Sequence, residues 1–147
     1  MMRALAFALF TLVCLLPAWA NDVPEVLSAF KEYVTRSERF DQSLAELYSD
    51  DAAIRSRRLM PDGRTQNISF SGAQWKDLIR QAMPLAKSRG DRNTFRNISA
   101  VSQGQGVILT AERHSHLKGY VSPFAQTWRK DRTGAWKISA EVSETRP

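Results

Sequence analysis

The last third of this chain is four consecutive segments whose apolar residues recur at every second position, while the region before them is mostly patterned at every third or fourth. Residues 94–102, 106–118, 124–130 and 136–143 read as strands. Gly104-Gln105-Gly106 and Asp131-Arg132-Thr133-Gly134 read as hairpin turns. Ahead of them, residues 23–38 read as an amphipathic helix with the stripe Val26, Phe30, Tyr33, Val34 and Ser37. Asp22 can cap it, with Pro24 in the first turn and Glu25 completing a capping pattern. A second short helix is expected at 41–48, turning Leu44, Leu47 and Tyr48 to the core and stopped by Ser49-Asp50-Asp51. Strands at 53–59 and 65–70 pair about the turn Pro61-Asp62-Gly63. Ser71 caps a third helix with the stripe Trp75, Leu78, Ile79, Ala82 and Met83, which Pro84 ends or kinks, and residues 88–91 form a polar loop. The order α-α-β-β-α-β-β-β-β predicts the α+β class, with helices gathered on one face of a curved antiparallel sheet.

The first twenty residues have a different character. Met1-Met2-Arg3 is a short positive segment, Ala4 to Leu16 is apolar and uncharged, and Ala18-Trp19-Ala20 follows Pro17 as a small-residue cleavage site. This is the pattern of a secretory signal peptide, too short for a stable membrane anchor. Residues 1–20 are therefore expected to be removed, leaving residues 21–147 as one periplasmic or secreted domain. The sole cysteine, Cys14, leaves with the leader, which excludes disulfides and thiolate chemistry from the mature chain. Its neighbour Val13 stands where a lipoprotein signal places a small residue, which argues against lipidation. Stability must then come from a packed core.

The whole chain carries a net charge of +6. Its cations cluster as Arg55, Arg57 and Arg58, as Lys87, Arg89 and Arg92, and as Arg129, Lys130 and Arg132. Export argues against a nucleic-acid partner, and interleaved acids make these clusters read first as solvated strand ends and loops.

Two segments resemble the NTF2-like (SnoaL-like, ketosteroid-isomerase-like) superfamily. One is Leu44-Ala45-Glu46-Leu47-Tyr48-Ser49-Asp50-Asp51-Ala52-Ala53-Ile54, and the other runs from Trp128-Arg129-Lys130 through Gly134 to Trp136-Lys137-Ile138. The resemblance implies a cone, with a pocket between the long helix and the curved sheet and a dimer through the outer sheet face. It implies little about activity. Against the ketosteroid-isomerase pattern, Tyr33 resembles the hydrogen-bonding tyrosine, but the base position after Asp50-Asp51 is Ser56 and the acid position after Pro123 is Ala125. With both carboxylates replaced, isomerase-type catalysis is not expected. Epoxide-hydrolase relatives use an Asp-Arg-Asp set; Arg113 could supply the arginine, but strand parity gives it no pair of inward acids.

Several other residues carry competing readings. Arg113 shares the face of Val107, Leu109 and Ala111, so it points inward or lies at the rim, where it can meet an anion. Glu112, His114 and His116 lie on the opposite face; two histidines at i and i+2 beside a carboxylate could bind a metal, although solvent or dimer contact is the simpler role. Tyr33, Phe30, Tyr48, Trp75 and Trp128 either line a pocket or fill the core. Alternation groups Trp128 with Phe124 as buried, whereas the family comparison turns Ala125 and Thr127 inward and Trp128 outward; the outward placement is the expectation. Glu141 has the opposite parity to Trp136, Ile138, Ala140 and Val142, so it is expected to face away from the core. Asn67-Ile68-Ser69 and Asn97-Ile98-Ser99 match glycosylation sequons within strands.

These readings converge on a non-catalytic domain that binds a small, partly apolar and anionic ligand through Tyr33, Ser56, Trp75, Arg113 and Ala125, with no cofactor or metal. The first alternative is an accessory module that dimerises through its outer sheet face. The second is a hydratase or cyclase using His114 or Tyr33 with Glu141.

Overall fold

The structure is a computed structural model that describes residues 22–147; the expected leader with its expected cleavage site, and Cys14, lie outside the described residues. Two helices, a short 3-10 helix and six strands follow one another as α1 (Asp22–Glu38), the 3-10 helix (Gln42–Leu47), β1 (Tyr48–Leu59), β2 (Thr65–Ser71), α2 (Gly72–Arg89), β3 (Asn93–Gln103), β4 (Gly106–Ser115), β5 (Tyr120–Lys130) and β6 (Trp136–Thr145). The expected α+β class is the one observed. The strands form a single sheet in the order β2-β1-β6-β5-β4-β3. It is mixed rather than wholly antiparallel, because β1 and β6 run parallel while every other neighbouring pair is antiparallel.

Helix α1 buries Val26, Phe30 and Tyr33 along one stripe. Its C-terminal end is closed by Phe40 in a left-handed conformation (φ 54°) and by the Asp41 N–H donating to the Arg36 carbonyl at 2.9 Å. Asp41 then caps the next element, accepting from the Ser43 N–H at 2.8 Å. That element is a 3-10 helix, and Tyr48 with the Asp50-Asp51 pair belongs to β1 rather than to a helix and its terminator.

Helix α2 opens with a reciprocal capping box between Ser71 and Gln74. It continues through Pro84 to Arg89 and ends on Gly90, whose φ of 62° favours glycine. The proline therefore does not end the helix, and residues 88–89 are helical rather than loop.

Helix α1 packs over β3 and β4, and α2 packs over β1 and β2. The seam between the helices thus lies over the central strands β5 and β6. Beneath it, Phe30, Tyr33, Phe95 and Phe124 form one aromatic cluster with centroid separations from 5.0 to 6.5 Å. Val107, Leu109, Trp128 and Ile138 are wholly excluded from solvent and extend the core. The opposite face of the sheet carries no helix. Among the described residues, no helix is long and apolar enough to cross a membrane.

Candidate functional site

Strand parity carries most of the site onto the covered face. In β5, Phe124, Gln126 and Trp128 alternate inward, and all three are buried. Trp128 therefore sits in the core, not on the outer face: hydrophobic alternation places it correctly and the family comparison does not.

In β6 the simple alternation fails. Ile138 pairs with Trp128 and Ala140 with Thr127, which leaves Ser139 as an extra residue at a register shift. Beyond that bulge the inward parity is reversed. Glu141 points into the core at 3% exposure, while Val142 points out at 52%. The expectation that Glu141 faces away from the core is corrected by this single inserted residue.

Glu141 is the centre of a buried polar chain. Its Oε2 accepts the Tyr48 hydroxyl at 2.5 Å and the Gln126 Nε2 at 2.9 Å. Gln126 Oε1 in turn accepts the Trp128 indole N–H at 3.1 Å. Burial pushes the Glu141 carboxyl above the usual carboxylate range, although Gln126, Tyr48 and the charge of Arg113 oppose the rise. Burial and the nearby Glu141 charge likewise push the Tyr33 and Tyr48 phenols well above their ordinary range. Tyr33 reaches the chain from α1, close to the Tyr48 hydroxyl and with its ring 6.5 Å from that of Tyr48. A network of this kind favours the protonated form of the carboxyl and presents it beside two neutral phenols. Of the residues in this network, the sequence singles out Tyr33 for hydrogen bonding and, in the hydratase or cyclase alternative, Glu141 as its acid–base partner. The signal for Gln126 is its shared parity with Trp128; the extra residue in the facing strand leaves none in the sequence.

Trp75 stands at the upper edge of this network, near the Tyr48 hydroxyl. Its indole N–H is buried beside that hydroxyl, too poorly aligned to close a regular hydrogen bond. The same ring lines a groove of about 410 Å³ in the helix seam, between Ser37 and Phe40 of the α1 end, Ile79, Ala82 and Met83 of α2, and Asn93 at the start of β3. Leu78, expected on the buried stripe, is 38% exposed at the edge of this groove.

The other expected residues are distributed as follows. Ser56 is buried on the inner face. Arg113 is inward and half-buried, as its parity indicates, with Nη2 donating to the Glu144 backbone carbonyl at 2.5 Å. One inward acid, Glu141, lies within its electrostatic reach. Ala125 lies on the opposite, helix-free face, where it lines a wider depression of about 740 Å³ with Arg55, Thr110 and Val142. It is separated by the sheet itself from Tyr33 and Trp75.

Glu112 and His114 are also on that helix-free face. Glu112 Oε2 is held by Arg96 and Asn97 at 2.8 and 2.9 Å, and His116 Nε2 lies 2.9 Å from Thr94 Oγ1. The two imidazole rings lie against each other, 4.3 Å apart. Among the described residues, no group of three or more histidine, cysteine or acidic side chains could hold a metal ion.

No family model matches the sequence, and no curated protein matches it. The likeness to solved structures is one of shape. An NTF2-like protein of unknown function from Pseudomonas putida KT2440 superposes with a TM-score of 0.64 at 11% identity, over 83% of this chain and 84% of that one. A proposed dehydratase of the NTF2-like family from Streptomyces avermitilis gives 0.58 at 15%, over 84% and 95%. A proposed ketosteroid isomerase from Parabacteroides distasonis gives 0.53 at 18%, over 81% and 83%. With the helix-covered curved sheet, these likenesses establish that the chain has the NTF2-like fold.

Proposed function

We propose that this chain is an exported, non-catalytic domain that binds a small, partly apolar molecule in the seam between α1 and α2. The carrying observation is the groove of about 410 Å³, walled by Phe40, Ile79 and Met83 and lined by the Trp75 ring. That volume is within the range of small-molecule sites, and an apolar wall with few polar groups is their usual lining. The Tyr33–Tyr48–Glu141 network lies behind Trp75, outside the lining of the groove. A catalytic reading would need open space at Glu141, and Glu141 is not among the residues lining the groove.

A thermal-shift screen with small amphipathic compounds tests this reading. The expected result is a compound that raises the melting temperature of the native protein but not of the Ala82→Trp variant. Ala82 is exposed on α2 and lines the groove, so a tryptophan there fills the site without entering the core. A protein that no compound stabilises, yet that captures one protein partner, would refute it.

A second reading is favoured by one observation. Val142 is 52% exposed at the middle of the helix-free face, between Arg55 on β1 and Ala125 on β5. We propose that two copies associate through this face, an arrangement compatible with ligand binding on the other side of the sheet.

A further inference from the structure

We propose that Arg113 and Ser122 form a carboxylate receptor at the inner end of the seam, so that the ligand is an amphipathic monocarboxylate. This deepens the ligand-binding reading above and rests on it.

The argument begins with register. Arg113 of β4 stands opposite Ser122 of β5, and both side chains point to the covered face. Ser122 is 1% exposed and its hydroxyl has no hydrogen-bond partner. Arg113 Nε is also buried and without a partner. Native proteins rarely leave one such group unsatisfied, and here two occur on directly opposed residues.

The guanidinium is already fixed in place. Its Nη2 donates to the Glu144 carbonyl, which holds the planar fork while leaving the Nε–H edge unused. A carboxylate could place one oxygen at Nε and the other at the Ser122 hydroxyl. Both would then act as donors to an anion, and the hydrogen bonds would be charge-assisted. Glu141 is the inward acid in the field of Arg113, but its Oε2 is engaged by Tyr48 and Gln126 and its carboxyl is shifted toward the neutral form.

Strand register sets the groove and this pair two residues apart along β3. Asn93 lines the groove and stands opposite Ser115; one step further along the same face, Phe95 stands opposite Arg113. A ligand with its apolar body against Phe40 and Met83 would reach Arg113 by extending its polar end from Asn93 past the Phe95 ring, which packs on Phe30, Tyr33 and Phe124. A flexible chain ending in a carboxylate matches this sequence of surfaces, apolar first and cationic last.

Matched probes separate this inference from the reading beneath it. Octanoate and octan-1-ol have the same apolar length and differ only in the head group. Isothermal titration at pH 7 should give a dissociation constant about tenfold lower for octanoate, the difference expected of one good charge-assisted contact. Arg113→Gln should remove that preference and leave octanol binding intact. Ser122→Ala removes a single oxygen atom, so it tests the site even if the arginine variant folds poorly, and it should lower the octanoate preference about threefold. If octanol binds the native protein as well as octanoate does, or if both Arg113→Gln and Ser122→Ala, folded by circular dichroism, retain the preference, the carboxylate receptor is refuted while the groove remains. If Ala82→Trp leaves both probes bound, or neither probe binds the native protein, the groove reading falls with it.

Discussion

The Tyr48 hydroxyl donates to Glu141 Oε2 across 2.5 Å, joining residues 93 positions apart in the chain inside the core. The bond bears on how stability depends on pH. A carboxyl whose native pKa is raised keeps its proton in the folded state after the unfolded chain has released it. Stability is then fully present below the unfolded value and falls as pH rises through the window up to the native value. For Glu141 that window opens near the ordinary value of 4.5 and extends upward. Glu141→Gln keeps an oxygen acceptor for Tyr48 and Gln126 but cannot ionise. The native protein should therefore lose stability relative to Glu141→Gln as pH rises above about 4.5 in urea unfolding. Parallel stability curves would show that the carboxyl is not raised.

Trp128 closes the other end of the same chain. Trp128→Phe fills most of the same volume but removes the indole N–H, leaving Gln126 Oε1 buried without a donor. The unpaired acceptor and the small void should cost about 2–4 kcal/mol together. Chemical denaturation at one pH measures it, and a cost below about 0.5 kcal/mol would mean that the hydrogen bond contributes nothing.

How much of this was legible depended on period. Helix α1, the cap at Ser71 and the four C-terminal strands follow from patterns that span many residues, so small errors at their ends did no harm. Arg113 was placed inward by counting in twos from Val107, and the count holds because β4 pairs with β5 without interruption from Gly106 to Ser115. The same count failed at Glu141, because nothing local to Ile138-Ser139-Ala140 announces a bulge. The extra residue is defined only by the pairing of β6 with β5, a contact between strands. Ala125 was misplaced for a different reason: a position carried over from distant relatives overrode the alternation Phe124-Gln126-Trp128, which was correct. The parallel pairing of β1 with β6 was also invisible, since it joins segments from opposite ends of the chain.

Gly72 tests how α2 is seated. A Cβ built there would lie 1.9 Å from the Ser49 carbonyl oxygen and 2.8 Å from the Ala52 nitrogen, both of them backbone atoms of β1. Backbone cannot swing aside as a side chain can, so the helix would have to lift from the strand. Gly72→Ala should cost more than about 4 kcal/mol, well outside the usual range for a surface helix position. Ala73→Ser, at the exposed neighbouring site, is the control and should change stability by less than about 0.5 kcal/mol. Equal melting temperatures for the two variants would show that the helix start has room that the structure denies it.

The helix-free face gives the last test. Val142 is flanked across the ladders by Arg55 and Ala125, and with half its surface in water it is the apolar centre of that face. A charge at the centre of a two-fold interface would meet its own copy, and like charges held together there are strongly unfavourable. Val142→Glu should therefore convert a dimer to a monomer by light scattering while leaving circular dichroism and octanoate binding unchanged, because the groove lies on the other side of the sheet. The shallow depression beside Val142 is already rimmed by Arg57 and Glu144, paired at 2.5 Å. An added acid can also draw on Arg55 within its own subunit, so the variant is expected to stay folded. A native protein that remains monomeric at high concentration would reject the association outright.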